Sequence, residues 1–264
     1  MSVRSPHLTV RAVRAFNDNY IWLIESPREP ERVLAVDPGD AAPVLAHLAQ
    51  SGQRLGGILL THHHPDHVGG VAALLAAAPV PVVGPEDTRI AQRTLTARDG
   101  ERIEFEDLGL AFETLAVPGH TVSHVAYVGS GALFCGDTLF SAGCGRMFEG
   151  TAPQMARSLD RLRALPPETL VYCGHEYTAA NLRFALTVDP KNRAALDYER
   201  RVAALRGADR PTLPSSLALE LEVNPFLRCE DAAVRAAAER HAGRALGGAA
   251  EVFGALRAWK DAFR

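Results

Sequence analysis

The apolar positions along the chain change character once. In the first two thirds they come as short runs of β-branched and aromatic residues, broken by Asn, Pro and Gly. Residues 7–15, 20–25 and 32–37 have this form and predict antiparallel strands at the start of a sheet. Further strands are predicted over 57–60, 81–84, 102–106, 110–117, 124–129, 132–135 and 169–173. Between them, residues 40–50, 68–78 and 155–165 space Ala and Leu three or four apart, which is the helical period. After Gly174 the strand signals almost vanish, and helices are predicted over 178–187, 193–206, 231–242 and 249–264. The pattern therefore predicts an α/β domain over residues 1–174 and an all-helical domain over 175–264.

Composition adds exclusions. With 264 residues, 47% of them hydrophobic, and a net charge of -3, the chain can bury a sizeable core. Disorder is excluded by that balance, and the basic footprint of a nucleic-acid binder is lacking. The four cysteines form no CxxC pair, so a reducing compartment is expected. The N-terminal stretch lacks the apolar run of a signal peptide, and no run approaches the length of a membrane span. The expectation is a soluble, cytoplasmic monomer without nucleic-acid or membrane partners.

The segment Thr61-His62-His63-His64-Pro65-Asp66-His67 carries the strongest chemical signal. Four potential metal ligands fall within six residues, directly after a predicted strand. In extended chain, residues two apart point the same way, so His62 and His64 can grip one ion while His63 points elsewhere. Pro65 ends the extended run, and Asp66 and His67 then open a helix that Asp66 is also suited to cap. Neighbours at a helix start do not share the side chosen by His62 and His64. That geometry favours two adjacent ions over one.

More ligands are then required, and three strand-to-loop junctions offer them: His120 after Gly119, Asp137 after Gly136, and His175 after Gly174. A glycine directly before the polar residue marks a place where the backbone bends and approaches something closely. Cys135 and Cys173 read as small buried residues, and Trp22 as core.

The HxHxDH motif with a later His, a central Asp and a last His resembles the metallo-β-lactamase superfamily. Within it, the chain resembles glyoxalase II, the hydroxyacylglutathione hydrolases. The stretches that carry the resemblance are Phe16-Asn17-Asp18-Asn19-Tyr20, THHHPDHVGG, VPGHT, CGDTLF, AGCGRMFEG, CGHEYT, Asn224-Pro225-Phe226 and Leu256-Arg257-Ala258-Trp259-Lys260-Asp261. The resemblance implies an α/β fold, an αββα sandwich followed by a small helical domain that binds substrate.

It also implies roles. His62, His64 and His120 would hold one metal; Asp66, His67 and His175 a second; Asp137 would bridge both. Zinc is the first expectation, and iron or manganese suit the same nitrogen and carboxylate ligands. A hydroxide shared by the two ions would attack the thioester carbonyl of a glutathione conjugate such as S-D-lactoylglutathione, and the thiol would leave as thiolate. Asp66 and Asp137 are the expected catalytic carboxylates. Arg146, Phe148, Tyr177, Arg257 and Lys260 would line the glutathione site. In the family, position 146 is often Lys and position 148 often Tyr, so Arg146 keeps a charge while Phe148 lacks a hydroxyl. The residues leave other chemistries on this scaffold open: a lactonase-like hydrolase, a β-lactamase-like enzyme, a nuclease, or a persulfide dioxygenase with a single iron.

Overall fold

The computed structural model describes residues 8–263, and its chain divides into two compact units. Among the described residues the first comprises 8–116 together with 123–136, and the second comprises 117–122 and 137–263.

In the first unit a six-stranded sheet has the order β1 (Val10–Ala15), β2 (Asn19–Glu25), β3 (Arg32–Val36), β4 (Arg54–Leu59), β5 (Val82–Pro85) and β6 (Leu95–Ala97). The first three strands are antiparallel, as the sequence predicts, and the pairings from β3 to β6 are parallel. The central strands read as unbroken apolar runs because both faces are buried: every residue of β2 except Glu25 is buried. Helices α1 (Ala41–Ser51) and α3 (Val71–Ala77) pack Val44, Val71 and Leu74 onto Ile21, Leu23, Ala35 and Ile58 of the sheet. Asp40 caps α1 by accepting from the backbone N–H of Ala42, which satisfies one of the helix's orphan donors. The segment predicted as one helix from residue 68 is two. The short α2 (Pro65–Val68) and α3 are separated by Gly69-Gly70, whose weak helical preference allows the break. A four-strand meander follows: β7 (Arg102–Phe105), β8 (Leu110–Ala116), β9 (Val125–Gly129) and β10 (Ala132–Gly136), each antiparallel to the next.

The second unit begins, after its short 117–122 segment, with the two-residue strands β11 (Leu139–Phe140) and β12 (Gly143–Cys144), which form a hairpin. Then come α4 (Ala152–Arg163), β13 (Leu170–Cys173), α5 (Thr178–Val188), α6 (Arg193–Gly207), β14 (Ser215–Ser216), α7 (Leu217–Val223), α8 (Ala232–Ala242) and α9 (Ala249–Ala262). Leu182, Ala195, Tyr198, Val202 and Val223 form a core between α5, α6 and α7. Strands as short as β11 and β12 carry no readable alternation, and β6 has only three residues, so the sequence pattern passes over them. The pattern also passes over α7, which has only seven residues.

Among the described residues, all four cysteines are buried and outside any disulfide, and no helix is long and apolar enough to cross a membrane. Trp22 is buried, as expected, whereas Phe16 stands exposed.

Candidate metal and substrate site

The histidine loop of the first unit hangs from the end of β4. Its organiser is Asp37, which sequence reasoning passes over. The carboxylate is buried and accepts three hydrogen bonds: from Thr61 N at 2.8 Å, Thr61 Oγ1 at 2.7 Å and His67 Nδ1 at 3.0 Å. Because the Thr61 hydroxyl hydrogen goes to Asp37, its oxygen accepts from His62 Nδ1, 3.0 Å away. One acid thus fixes the tautomers of two rings. His62 and His67 each carry their proton on Nδ1 and present Nε2 as a lone pair. His62 Nε2 meets His64 Nδ1 at 3.0 Å, so the two side chains converge as the spacing predicts. His63 turns away toward Asp87 Oδ2, 3.5 Å distant. Asp87 is held well below the usual carboxylate range, chiefly by its hydrogen bonds from Arg89, with Ser123 adding to them.

His67 Nε2 lies 3.5 Å from Asp66 Oδ2. The cap expected of Asp66 is not made. His64 occupies the N-cap of α2, Asp66 lies inside the helix, and its Oδ2 accepts instead from Asn19 Nδ2 at 3.0 Å. Asn19 takes the carboxylate in another direction. His124, which the sequence leaves without a role, is buried and stacks on His62 with ring centroids 4.6 Å apart. Gly136 explains why this packing tolerates no side chain there. It has a φ of +47°, and a Cβ would stand 2.3 Å from Thr61 Oγ1.

The second unit holds a parallel arrangement. His120 donates from Nδ1 to the Arg146 carbonyl at 2.8 Å, so its Nε2 carries the lone pair. That nitrogen faces Asp137 Oδ2 at 3.4 Å, and His175 Nε2 faces the same oxygen at 3.3 Å. The loop after β12 presses close here: a Cβ on Gly145 would lie 1.9 Å from the Asp137 carbonyl oxygen. Asp137, His120 and His175 are all buried.

These donor sets fit divalent cations. In each unit a neutral imidazole lone pair faces a carboxylate oxygen, His67 Nε2 toward Asp66 and His120 Nε2 toward Asp137, an arrangement that repels itself. A cation with borderline preference for nitrogen and carboxylate ligands turns the repulsion into coordination. In the first unit, ligand atoms of Asp37, His62 and His67 lie within 4.8 Å of one another.

A cavity of about 400 Å³ in the second unit connects that chemistry to a ligand-sized space. His120 and Asp137 line it together with Phe140, Arg146, Phe148, Tyr177, Arg257 and Lys260. Of the predicted substrate residues, Phe148 is 66% exposed and lies edge-to-face with His120, ring centroids 5.3 Å apart. Tyr177 stacks on His175 at 4.7 Å. Arg257 is not an ordinary surface charge: it is 4% exposed, donates to the Cys144 carbonyl at 2.8 Å, and grips Asp261 Oδ1 with both Nε and Nη2. Asp261 also faces Arg146 Nε at 3.5 Å. Sequence reasoning names Asp261 only as part of a matching stretch; its i, i+4 spacing from Arg257 is the available signal. Lys260 donates to the Ala180 carbonyl and lies over the rings of Phe184 and Phe263. Burial, followed by the charges of Arg257, Arg183 and Arg146, lowers its pKa to about 8.

Comparison with known proteins agrees with this chemistry. The family model of the metallo-beta-lactamase superfamily matches residues 15–175, and the model of the hydroxyacylglutathione hydrolase C-terminus matches residues 176–263. Hydroxyacylglutathione hydrolase from Cupriavidus taiwanensis is 53% identical over 269 residues, covering 97% of this chain and all of the relative. ETHE1 from Myxococcus xanthus superposes with a TM-score of 0.63 at 25% identity, covering 96% of this chain and 99% of that one. TTHA1623, solved in a di-iron-bound form, gives 0.58 at 27% identity, covering 83% of this chain and 100% of that one. The αββα metallo-β-lactamase fold with a helical C-terminal region is thereby established, the lactonase-like and dioxygenase alternatives are not favoured, and the chain belongs to the hydroxyacylglutathione hydrolase family of enzymes.

Proposed function

We propose that this chain hydrolyses the thioester of S-(2-hydroxyacyl)glutathione, with S-D-lactoylglutathione as the representative substrate, releasing glutathione and a 2-hydroxy acid. That reaction is the last step of methylglyoxal detoxification. The observation that carries the reading is a single cavity lined at once by His120 and Asp137 and by Arg146, Arg257 and Lys260. Such a cavity joins a hydrolytic centre to a cationic grip for an anionic tripeptide.

In this reading His62, His64 and His120 hold one ion, Asp66, His67 and His175 hold the other, and Asp137 is shared. Zinc is the preferred ion, with iron or manganese compatible with the same donors. When bound, the ions supply a nucleophilic water derivative at neutral pH and polarise the carbonyl. The chain's own residues do the rest. Asp37 and Thr61 hold the ligand rings in one tautomer, so no reorientation is needed at the moment of reaction. Asn19 holds Asp66 beside His67, where its carboxylate can orient a proton. Arg146 and Lys260 attract the glutathione carboxylates, Arg257 adds fixed positive charge, and Phe148 and Tyr177 flank the peptide. The thiol leaves as thiolate, so no protein acid has to protonate it.

Residues 175–264 act in this reading as the substrate-binding domain; the meeting of the two family models at residues 175 and 176 supports that division. The chain is read as a cytoplasmic monomer without nucleic-acid or membrane partners; cysteines outside any disulfide fit a reducing compartment, and the near-balanced charge lacks the basic footprint of a nucleic-acid binder. The test is direct assay of S-D-lactoylglutathione together with metal analysis. Loss of thioester with roughly two ions per chain supports the reading. Oxygen uptake on glutathione persulfide with a single iron would replace it.

A further inference from the structure

The hairpin β11–β12 forms one wall of the cavity through Phe140 and Cys144, yet its own strands are two residues long. Strands of that length do not hold a conformation by themselves. Its turn is also strained: Ala142 has a φ of +55°, a left-handed conformation disfavoured for a non-glycine residue. Something outside the hairpin must keep it in place.

Glu220 on α7 reaches into this turn. It is fully buried. Its Oε1 accepts from Ser141 Oγ at 2.8 Å, and its Oε2 accepts from Ala142 N at 2.7 Å and Asn224 Nδ2 at 3.1 Å. Asn224 reaches on to the carbonyls of Phe140 and Gly143, and Asn181 donates to the Ser141 carbonyl at 3.1 Å. Tyr198 closes the group against Ser141 Oγ at 2.9 Å. Burial of an acid with no cationic partner is costly, and it raises the pKa of Glu220. Such a group persists where its acceptors satisfy donors that nothing else reaches, and the Ala142 N–H is one of these.

We propose that Glu220 is a positioning residue for substrate binding: it holds the strained Ser141–Ala142 turn and so fixes the Phe140–Cys144 wall of the cavity. The consequence reaches the cationic grip, because the Cys144 carbonyl accepts one of the bonds that hold the Arg257 guanidinium, the others going to Asp261. The inference rests on the reading of this cavity as the site for the glutathione thioester.

The acceptor matters here, and the charge does not. In Glu220→Gln the amide oxygen takes the Ala142 N–H, and the amide nitrogen meets Ser141. The Ser141 hydroxyl can then accept and turn its hydrogen to Tyr198. Glu220→Ala leaves the turn unsupported.

The test is steady-state kinetics on S-D-lactoylglutathione with metal content measured alongside. Glu220→Ala is expected to raise KM about tenfold while kcat falls less than about threefold and bound metal is unchanged. Glu220→Gln is expected to keep KM within about twofold of the parent, and Ser141→Ala, a milder cut at the same node, to raise it about threefold. Lys260→Ala serves as the control for the cavity itself. If it raises KM while Glu220→Ala and Ser141→Ala do not, the positioning role is overturned and the cavity reading stands. If Glu220→Gln is as damaging as Glu220→Ala, the acceptor argument is overturned. If Lys260→Ala leaves KM unchanged, the cavity reading falls and the inference falls with it. Should Glu220→Ala fail to fold, Ser141→Ala decides: an unchanged KM overturns the proposal.

Discussion

The histidine loop and the cationic cavity are built on opposite principles. Around residues 61–67 the inward Nε2 atoms of His62 and His67 are acceptors, and the outward Nδ1 of each is tied to an oxygen traceable to Asp37. Around Arg146, Arg257 and Lys260 the groups are donors in excess. One carboxylate, Asp261, serves two of the three cations, and backbone carbonyls and aromatic rings support the rest. The first arrangement is prepared for a cation and the second for an anion. A loop that binds through lone pairs must fix tautomers, whereas a pocket that binds through charge must keep its cations apart from too many acids. The two regions should therefore fail differently when altered, one in metal content and turnover, the other in KM.

The largest effect is expected at Asp137, which faces both His120 and His175. Asp137→Ala should cut turnover by more than about a hundredfold, the upper end for a mere outer-shell partner, and lower the metal bound. Activity retained with full metal would remove Asp137 from the centre. Next comes Asp37→Asn, which replaces one acceptor oxygen with a donor. Metal affinity, read by competition with a chelator, should fall about 10–100-fold with KM little changed. A KM effect instead would erase the contrast between the two regions. Gly136→Ala should destabilise the fold by roughly 1–2 kcal/mol from its left-handed φ alone, with further loss of metal as Thr61 is displaced. Thermal unfolding and metal analysis on the same sample check both parts.

The smallest effect belongs to the cavity and to pH. Lys260 is charged below its pKa, and that pKa is lowered to about 8, so its attraction for an anionic substrate is present at neutral pH and lost as pH rises through about 8. KM should climb over that interval, by a few-fold (about tenfold at most). Lys260→Arg should flatten the climb, since a guanidinium stays charged. A profile unchanged by that substitution would assign the pH dependence to another group.

The legibility of the molecule follows the same contrast. The HxHxDH loop can be read because its ligands are adjacent in sequence and the two-residue period of extended chain sets their direction. The Gly-preceded His120, Asp137 and His175 are legible once a metal needs partners. Asp37 is not, because its work is done on residues twenty-four and thirty positions later, and nothing in the local pattern around Val36-Asp37-Pro38 records that distance. The main strands and helices follow from apolar period, while β11, β12 and α7 are too short to impose one. Arg257 is half legible: its place in the tail is visible, but its burial depends on Cys144, a hundred and thirteen residues away.

The central claim is that this chain is a thioester hydrolase that works with two ions. Metal-free protein titrated with zinc while S-D-lactoylglutathione hydrolysis is followed tests it most directly. The account predicts that turnover, absent at the start, rises with added metal and levels off near about two equivalents, with glutathione released in step. Turnover that survives complete metal removal, or no thioester loss at any metal loading, would contradict it.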